Sequence, residues 1–213
     1  KRFEKTPDEY DIELLKKLEE YVIDSWVPTN ELPDGYNTNQ PLRSHGLSNI
    51  NLFYTKRSLI TLTKYLDLIK NNPLENELMM LLTGVTFSTT KLYRWTPNYQ
   101  GGGPLSGTLY IPSLYREISV LDALKRFSVK LPKNLTFNKS FGDVVHSVGD
   151  ASKYDIPENS IDYIFVDPPF GANIMYSELN ILWESWIKLR TNNSKEAIVN
   201  ENQKKNIFDY QNM

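Results

Sequence analysis

The sequence predicts an α/β chain, with a mostly helical first half and a sheet-bearing second half. Three observations carry that class. Leu59, Leu62, Leu66 and Ile69 recur at helical spacing within 53–70. Tyr163-Ile164-Phe165-Val166 is apolar without alternation, the pattern of a strand buried on both faces of a parallel sheet. Val144 to Val148 is rich in β-branched residues and reads as a neighbouring strand. A length of 213 residues suits one domain, or one domain with a long insertion.

The elements follow in order. Thr6-Pro7-Asp8-Glu9 has the residues of a helix start: a cap at Thr6, proline at the first helical position and Glu9 closing a capping box. Leu14, Leu18, Tyr21 and Val22 then mark one helical face. Residues 26–49 lack periodicity and are rich in Pro, Asn and Gly, so they read as a long connection that wraps another part of the fold. The helix over 53–70 comes next, Pro73 punctuates, and a third helix starts near Leu74. Residues 91–107 interleave Lys91, Tyr93, Arg94, Trp95 and Tyr99 before Gly101-Gly102-Gly103. This suits either a loop of packed aromatics or a nucleic-acid surface that stacks and clamps.

Thr108 to Ile111 reads as a short strand, and Ser119 to Val129 as a helix with Val120, Leu124 and Phe127 on one face. From Lys125 to Lys139 there are five basic residues and no acidic ones, which suits either a solvated face and loop or a local nucleic-acid patch. After the two strands, Ser177 to Leu189 reads as a helix whose stripe of Leu179, Leu182, Trp183, Trp186 and Leu189 is a core face. Beyond Thr191 the chain is polar and loop-like.

Composition narrows the function. There are no cysteines and two histidines, which removes disulfides, thiol nucleophiles and cysteine-ligated metals. No stretch approaches the roughly 18 apolar residues of a membrane span, and the basic N-terminus has no apolar run behind it, so the expected location is the cytoplasm. A net charge of −2 means that any nucleic-acid contact comes from local patches.

Asp167-Pro168-Pro169-Phe170 directly follows the expected buried strand, where ligands of an open α/β sheet bind. The chemistry is specific. An exocyclic base amine is a poor nucleophile because its lone pair is delocalised into the ring. Two acceptors around its hydrogens expose that lone pair. The Asp167 carboxylate can be one and the Pro168 carbonyl the other, held stiff by two prolines that lack N–H donors. Such dipoles act most strongly in a closed, dry site. Phe170 offers a face on which an extruded base can stack.

These residues resemble the [Asp/Asn/Ser]-Pro-Pro-[Tyr/Phe] motif of S-adenosylmethionine-dependent amino-methyltransferases. Gly149-Asp150-Ala151, Ile156-Pro157 and Ser160 to Val166 extend the likeness to adenine-specific DNA methyltransferases. Met175 to Asn180, Leu182-Trp183-Glu184, Phe53 to Arg57 and Gly107 to Ser113 resemble a subgroup of large bacterial site-specific DNA methylases. The likeness is strong over 142–189 and looser over 26–115.

The resemblance implies a partial Rossmann-like methyltransferase sheet with a mostly helical insertion. Residues 1–115 would be that insertion and a DNA-recognition region, and 116–213 the catalytic half. Asp167, Pro168, Pro169 and Phe170 would be the catalytic loop, and Asp150 would lie near the adenine ring of the cofactor, S-adenosyl-L-methionine. The activity would be methyl transfer to adenine N6 in double-stranded DNA. Cytosine N4, another amine, or a non-catalytic nucleic-acid-binding module are the alternatives. Lys56, Arg57, Lys91 and Arg94 are the candidate DNA contacts. The family's glycine-rich cofactor loop has no counterpart here, because Gly101-Gly102-Gly103 follows no buried strand. That motif is expected upstream of Lys1 or beyond Met213. The sheet would then keep an exposed edge strand that invites self-association.

Overall fold

The structure is a computed structural model and describes residues 5–97, 102–129, 145, 153, 156–167 and 170–212. Seven α-helices are found among them: α1 (Glu9–Glu20), α2 (Tyr36–His45), α3 (Lys56–Ile69), α4 (Glu75–Thr86), α5 (Val120–Ser128), α6 (Tyr176–Glu184) and α7 (Ile207–Asn212). The described residues form no β-strand. Pairing is limited to isolated antiparallel bridges such as Tyr54 with Thr90 and Arg94 with Tyr115. The fold of the described residues is therefore helical, which corrects the expected α/β class with its partial Rossmann-like sheet.

The correction is sharpest at Tyr163 to Val166. This run was expected to be buried on both faces, yet its four side chains are 71–81% exposed and no strand forms. Periodicity reports that both faces of a strand are apolar; it does not supply the neighbouring strands that would cover them. Thr108 to Ile111 also forms no strand. There, Leu109 and Ile111 are buried, and Gln40 of α2 pins Ile111 by accepting from its N–H (2.9 Å) and donating to its carbonyl (3.1 Å). The strand expected over Val144 to Val148 lies outside the described residues, apart from Val145. The edge strand expected to drive self-association has no counterpart among the described residues.

The core is built by α3, α4 and α5, which pack on one another, with α6 against α2 and α4. α3 starts on Thr55, whose hydroxyl accepts from the Ser58 N–H at 3.1 Å, a standard N-cap. Its expected stripe is all buried: Leu59, Leu62, Leu66 and Ile69. Each such leucine contributes about 2 kcal/mol by leaving water. Tyr65 ties α3 to α4 by donating to the Leu78 carbonyl at 3.0 Å. α4 meets α5 at Gly84, where an added Cβ would lie 3.2 Å from the Phe127 ring, so glycine permits the close approach. From α6 and the turn after it, Ile181, Leu182 and Trp186 join the same cluster. One core thus spans both sides of the expected division at 115/116.

α1 starts two residues later than its sequence signal. Asp8 is the cap and Asp11 closes the box, because an aspartate reaches the N3 amide as well as Thr6 could. None of its residues is buried. α2 was not expected at all, since Asn, Thr and Pro41 fill it. Among the described residues no helix is long and apolar enough to cross a membrane.

Candidate functional site

Asp167 closes the extended stretch after a turn at Asn159, which has φ 58°. Ser160 steadies that turn by donating to the Pro157 carbonyl at 2.6 Å. The Asp167 side chain is exposed, and the Phe170 ring is 68% exposed. Beyond them the chain is anchored again. The Phe170 carbonyl accepts from Asn173 (3.2 Å) and the Gly171 carbonyl from Val199 (3.2 Å). Gly171 itself has φ +59°, a conformation glycine adopts without steric cost. Pro168, Pro169 and Asp150 lie outside the described residues.

Immediately downstream is a built polar junction. Glu178, in the first turn of α6, is fully buried. Its carboxylate accepts from the Asn37 N–H (2.7 Å), the Tyr36 N–H (3.2 Å) and the Asn200 side-chain amide (2.7 Å). The first two are opening N–H groups of α2, which Gly35 at its N-cap cannot cap itself. The cap comes instead from a residue remote in sequence, and the positive end of the helix dipole offsets the buried charge. A Cβ on Gly35 would sit 2.2 Å from the Glu178 Cδ, so the approach requires glycine. Next door, Glu196 accepts from the Ser177 N–H (2.8 Å) and from its hydroxyl. The buried Lys205 donates to the carbonyls of Asn193 and Glu196, and burial pulls its pKa below the usual lysine value.

The four candidate DNA contacts fall into two groups. Lys56 and Arg57 open α3, and Arg57 is half exposed, 3.5 Å from Glu117. Lys91 is half-buried, donates to the Leu52 carbonyl at 2.9 Å, and has a pKa lowered by burial. Arg94 donates through Nε to the Gly103 carbonyl at 2.9 Å. Lys91 and Arg94 therefore serve their own backbone. The aromatics among them are partly structural too: the Arg116 guanidinium lies 4.6 Å from the Tyr93 ring centroid.

Of the glycine-rich stretch, Gly101 lies outside the described residues, Gly103 has nothing within 4 Å of an added Cβ, and Gly102 is crowded by its own chain. At Gly102 a Cβ would meet the Arg94 carbonyl at 2.7 Å and the Thr96 hydroxyl at 3.1 Å. The space glycine leaves is filled by this chain itself. Asp150, the residue that the resemblance places near the cofactor, lies outside the described residues.

Sequence reasoning missed Glu178 as a site in its own right. One signal was available: Glu178 shares a helical face with Ile181, Leu182 and Ser185, and a charge on a core face needs partners. Comparison with protein-family models, curated proteins and solved structures gave no match. The functional reading therefore rests on the residues themselves.

Proposed function

We propose that this chain carries the substrate-side residues of an S-adenosylmethionine-dependent DNA adenine-N6 methyltransferase. The observation that supports it is the Asp167-Pro168-Pro169-Phe170 motif, whose residue types and order suit amine activation and base stacking. An extruded adenine would donate from N6 to the Asp167 carboxylate and stack on Phe170. The base would come from double-stranded DNA, with Lys56 and Arg57 as phosphate contacts. S-Adenosylmethionine would supply the methyl group. The part of Asp167 and Phe170 would be to bind and orient the amine.

The test is to incubate the chain, alone and joined to a glycine-rich cofactor-binding segment, with S-adenosylmethionine and duplex DNA and to digest the DNA for modified bases. N6-methyladenine is expected, and Asp167→Ala should abolish it. N4-methylcytosine instead would move the target base, and absence of any methylated base overturns the reading. A second reading, a non-catalytic nucleic-acid-binding module, is favoured by the open setting of Asp167, since amine activation needs a water-poor site. It expects duplex binding that Asp167→Ala leaves unchanged and no methylated base at all.

A further inference from the structure

An open groove of about 540 Å³ runs between α2 and the segment at 105–110. Tyr36, Asn37 and Arg43 line it from α2, and Leu105, Leu109 and Tyr110 from the other side. We propose that this groove binds an unpaired nucleotide, with the base edge on the Asn37 carboxamide, the base face on the tyrosine rings and the phosphate on Arg43.

The walls are already fixed. Gln40 spends both ends of its side-chain amide on the Ile111 backbone, and Leu109 and Ile111 are buried. Glu178 holds the start of α2. The lining hydroxyls of Ser44 and Thr108 are spent as well, on the Gln40 carbonyl and on the Tyr110 N–H (3.1 Å). By contrast, the carboxamides of Asn37 and Asn39 and the Arg43 guanidinium have no hydrogen-bond partner or counter-ion among the described residues.

Asn37 decides the class of ligand. The residue is only 8% exposed, and its N–H is taken by Glu178 at 2.7 Å. Its carboxamide is nevertheless not sealed off as the Ser58 hydroxyl is, and the space it borders is the groove. A nearly buried amide without a partner costs free energy. It carries an acceptor beside two donors, so an edge that presents a donor next to an acceptor satisfies both at once. Nucleobases present such edges, and adenine is the base that a carboxamide side chain pairs with most readily.

The remaining lining agrees. Tyr36 and Tyr110 are 73% and 40% exposed and offer ring faces on which a base stacks. No carboxylate lines the groove among the described residues, and Arg43 is its one full charge, a cation suited to phosphate. Asn37 and Arg43 stand six residues apart in one helix, about 9 Å along its axis, a span that a nucleotide covers from base edge to phosphate. Apolar walls with a few placed polar groups are the usual make-up of a small-ligand site. A duplex hides the faces of its bases in the stack, so the base that enters must be unpaired. The nucleotide can belong to a DNA strand or be free. Only the choice of DNA as source rests on the function proposed above.

The test titrates the full chain with adenosine monophosphate, adenosine, S-adenosylmethionine, an oligo-dA single strand and a blunt duplex. Amide shifts over 36–44 and 105–110 are followed by NMR, and strand affinity by fluorescence anisotropy. Adenosine monophosphate should shift these amides and bind several-fold tighter than adenosine. Arg43→Gln should erase that difference and leave adenosine binding unchanged. Tyr36→Leu and Tyr110→Leu together should weaken the nucleotide about tenfold or more. Asn37→Ala keeps the main-chain N–H that Glu178 uses, so the urea midpoint should hold while nucleotide affinity falls about tenfold. Should Asn37→Ala fail to fold, the Arg43 and tyrosine variants still decide, because those side chains are exposed. An oligo-dA strand that shifts the amides a duplex leaves unmoved identifies an unpaired base of DNA; the mononucleotide acting alone identifies a free nucleotide, and either supports the site. No shift with nucleotide or strand, wild-type affinity in the tyrosine double variant, or tighter binding of S-adenosylmethionine than of the mononucleotide overturns it. Methyl transfer is not a readout, so the two proposals fail separately.

Discussion

Asp167 and Glu178 are two carboxylates on neighbouring stretches of one chain, and their surroundings are opposite. Asp167 stands in solvent on an extended segment whose apolar residues are uncovered. Glu178 is sealed in the interior and holds the N-terminus of α2, α6 itself and the turn at Asn200 together. Asp167 carries the motif; Glu178 carries the architecture. The difference teaches that a chemically informative residue and a structurally indispensable one need not coincide, even within one stretch of family-like text.

The largest expected effect is at Glu178. Glu178→Ala leaves three donors without an acceptor, two of them buried, and should cost about 3–5 kcal/mol, read by urea unfolding. Amide exchange over 36–45 should rise with it, because α2 loses its cap. A loss under about 1 kcal/mol would break the contrast with Asp167.

Gly35→Ala attacks the same junction from the other side. The added methyl collides with the Glu178 carboxylate and should cost about 1–3 kcal/mol. If Glu178 could simply move aside, the variant would be near wild type, and the junction would be looser than its geometry implies.

Third is the pH dependence of the core. Tyr54 is buried and accepts from Trp186 Nε1 at 3.0 Å, and burial holds its phenol well above the ordinary value of 10.0. The unfolded chain ionises this tyrosine first, so the stability it contributes is complete below pH 10 and falls as pH rises above it, by up to about 1.4 kcal/mol per unit. Lys91, lowered by burial, acts in the opposite sense: its unfolded form binds more protons below 10.5, so stability rises through that window. Comparing urea midpoints of wild type and Tyr54→Phe from about pH 9 to 11 isolates the tyrosine. Wild type should lose stability faster. Parallel curves would mean that Tyr54 is not sealed.

The smallest effect is at Asp167. Asp167→Ala should change unfolding free energy by less than about 0.5 kcal/mol while abolishing methyl transfer. A stability loss of the size expected at Glu178 would make Asp167 a structural residue and erase the comparison.

Local pattern made much of the helical core legible. The α3 stripe was readable because its four apolar residues recur at the helical period and all find neighbours. The α5 and α6 stripes were readable in part. Val120, Leu124, Leu182 and Trp186 are buried, whereas Phe127 is only partly covered, against Gly84, and Leu189 lies beyond the end of α6 and is exposed. α1 was readable as a helix, but its contact with α3 leaves none of its residues fully buried. The sheet was the main error, since a strand exists only through partners that its own residues do not encode. Of the candidate site residues, Asp167 and Phe170 were singled out by type and order, and Lys56, Arg57, Lys91 and Arg94 by charge. The structure adds that Lys91 and Arg94 each donate to a backbone carbonyl, which charge alone does not show.

By itself, the sequence determined composition, the helical periods, and a motif whose chemistry needs no fold to be recognised. Tertiary structure alone decided that α2 exists, because its cap is a carboxylate far along the chain. It also decided that the Ser58 hydroxyl is buried without a hydrogen-bond partner, and that Tyr163 to Val166 lie open. The physical reason is common to all three. Hydrogen-bond satisfaction and burial depend on which remote groups come within a few ångströms, and neither periodicity nor composition carries that information.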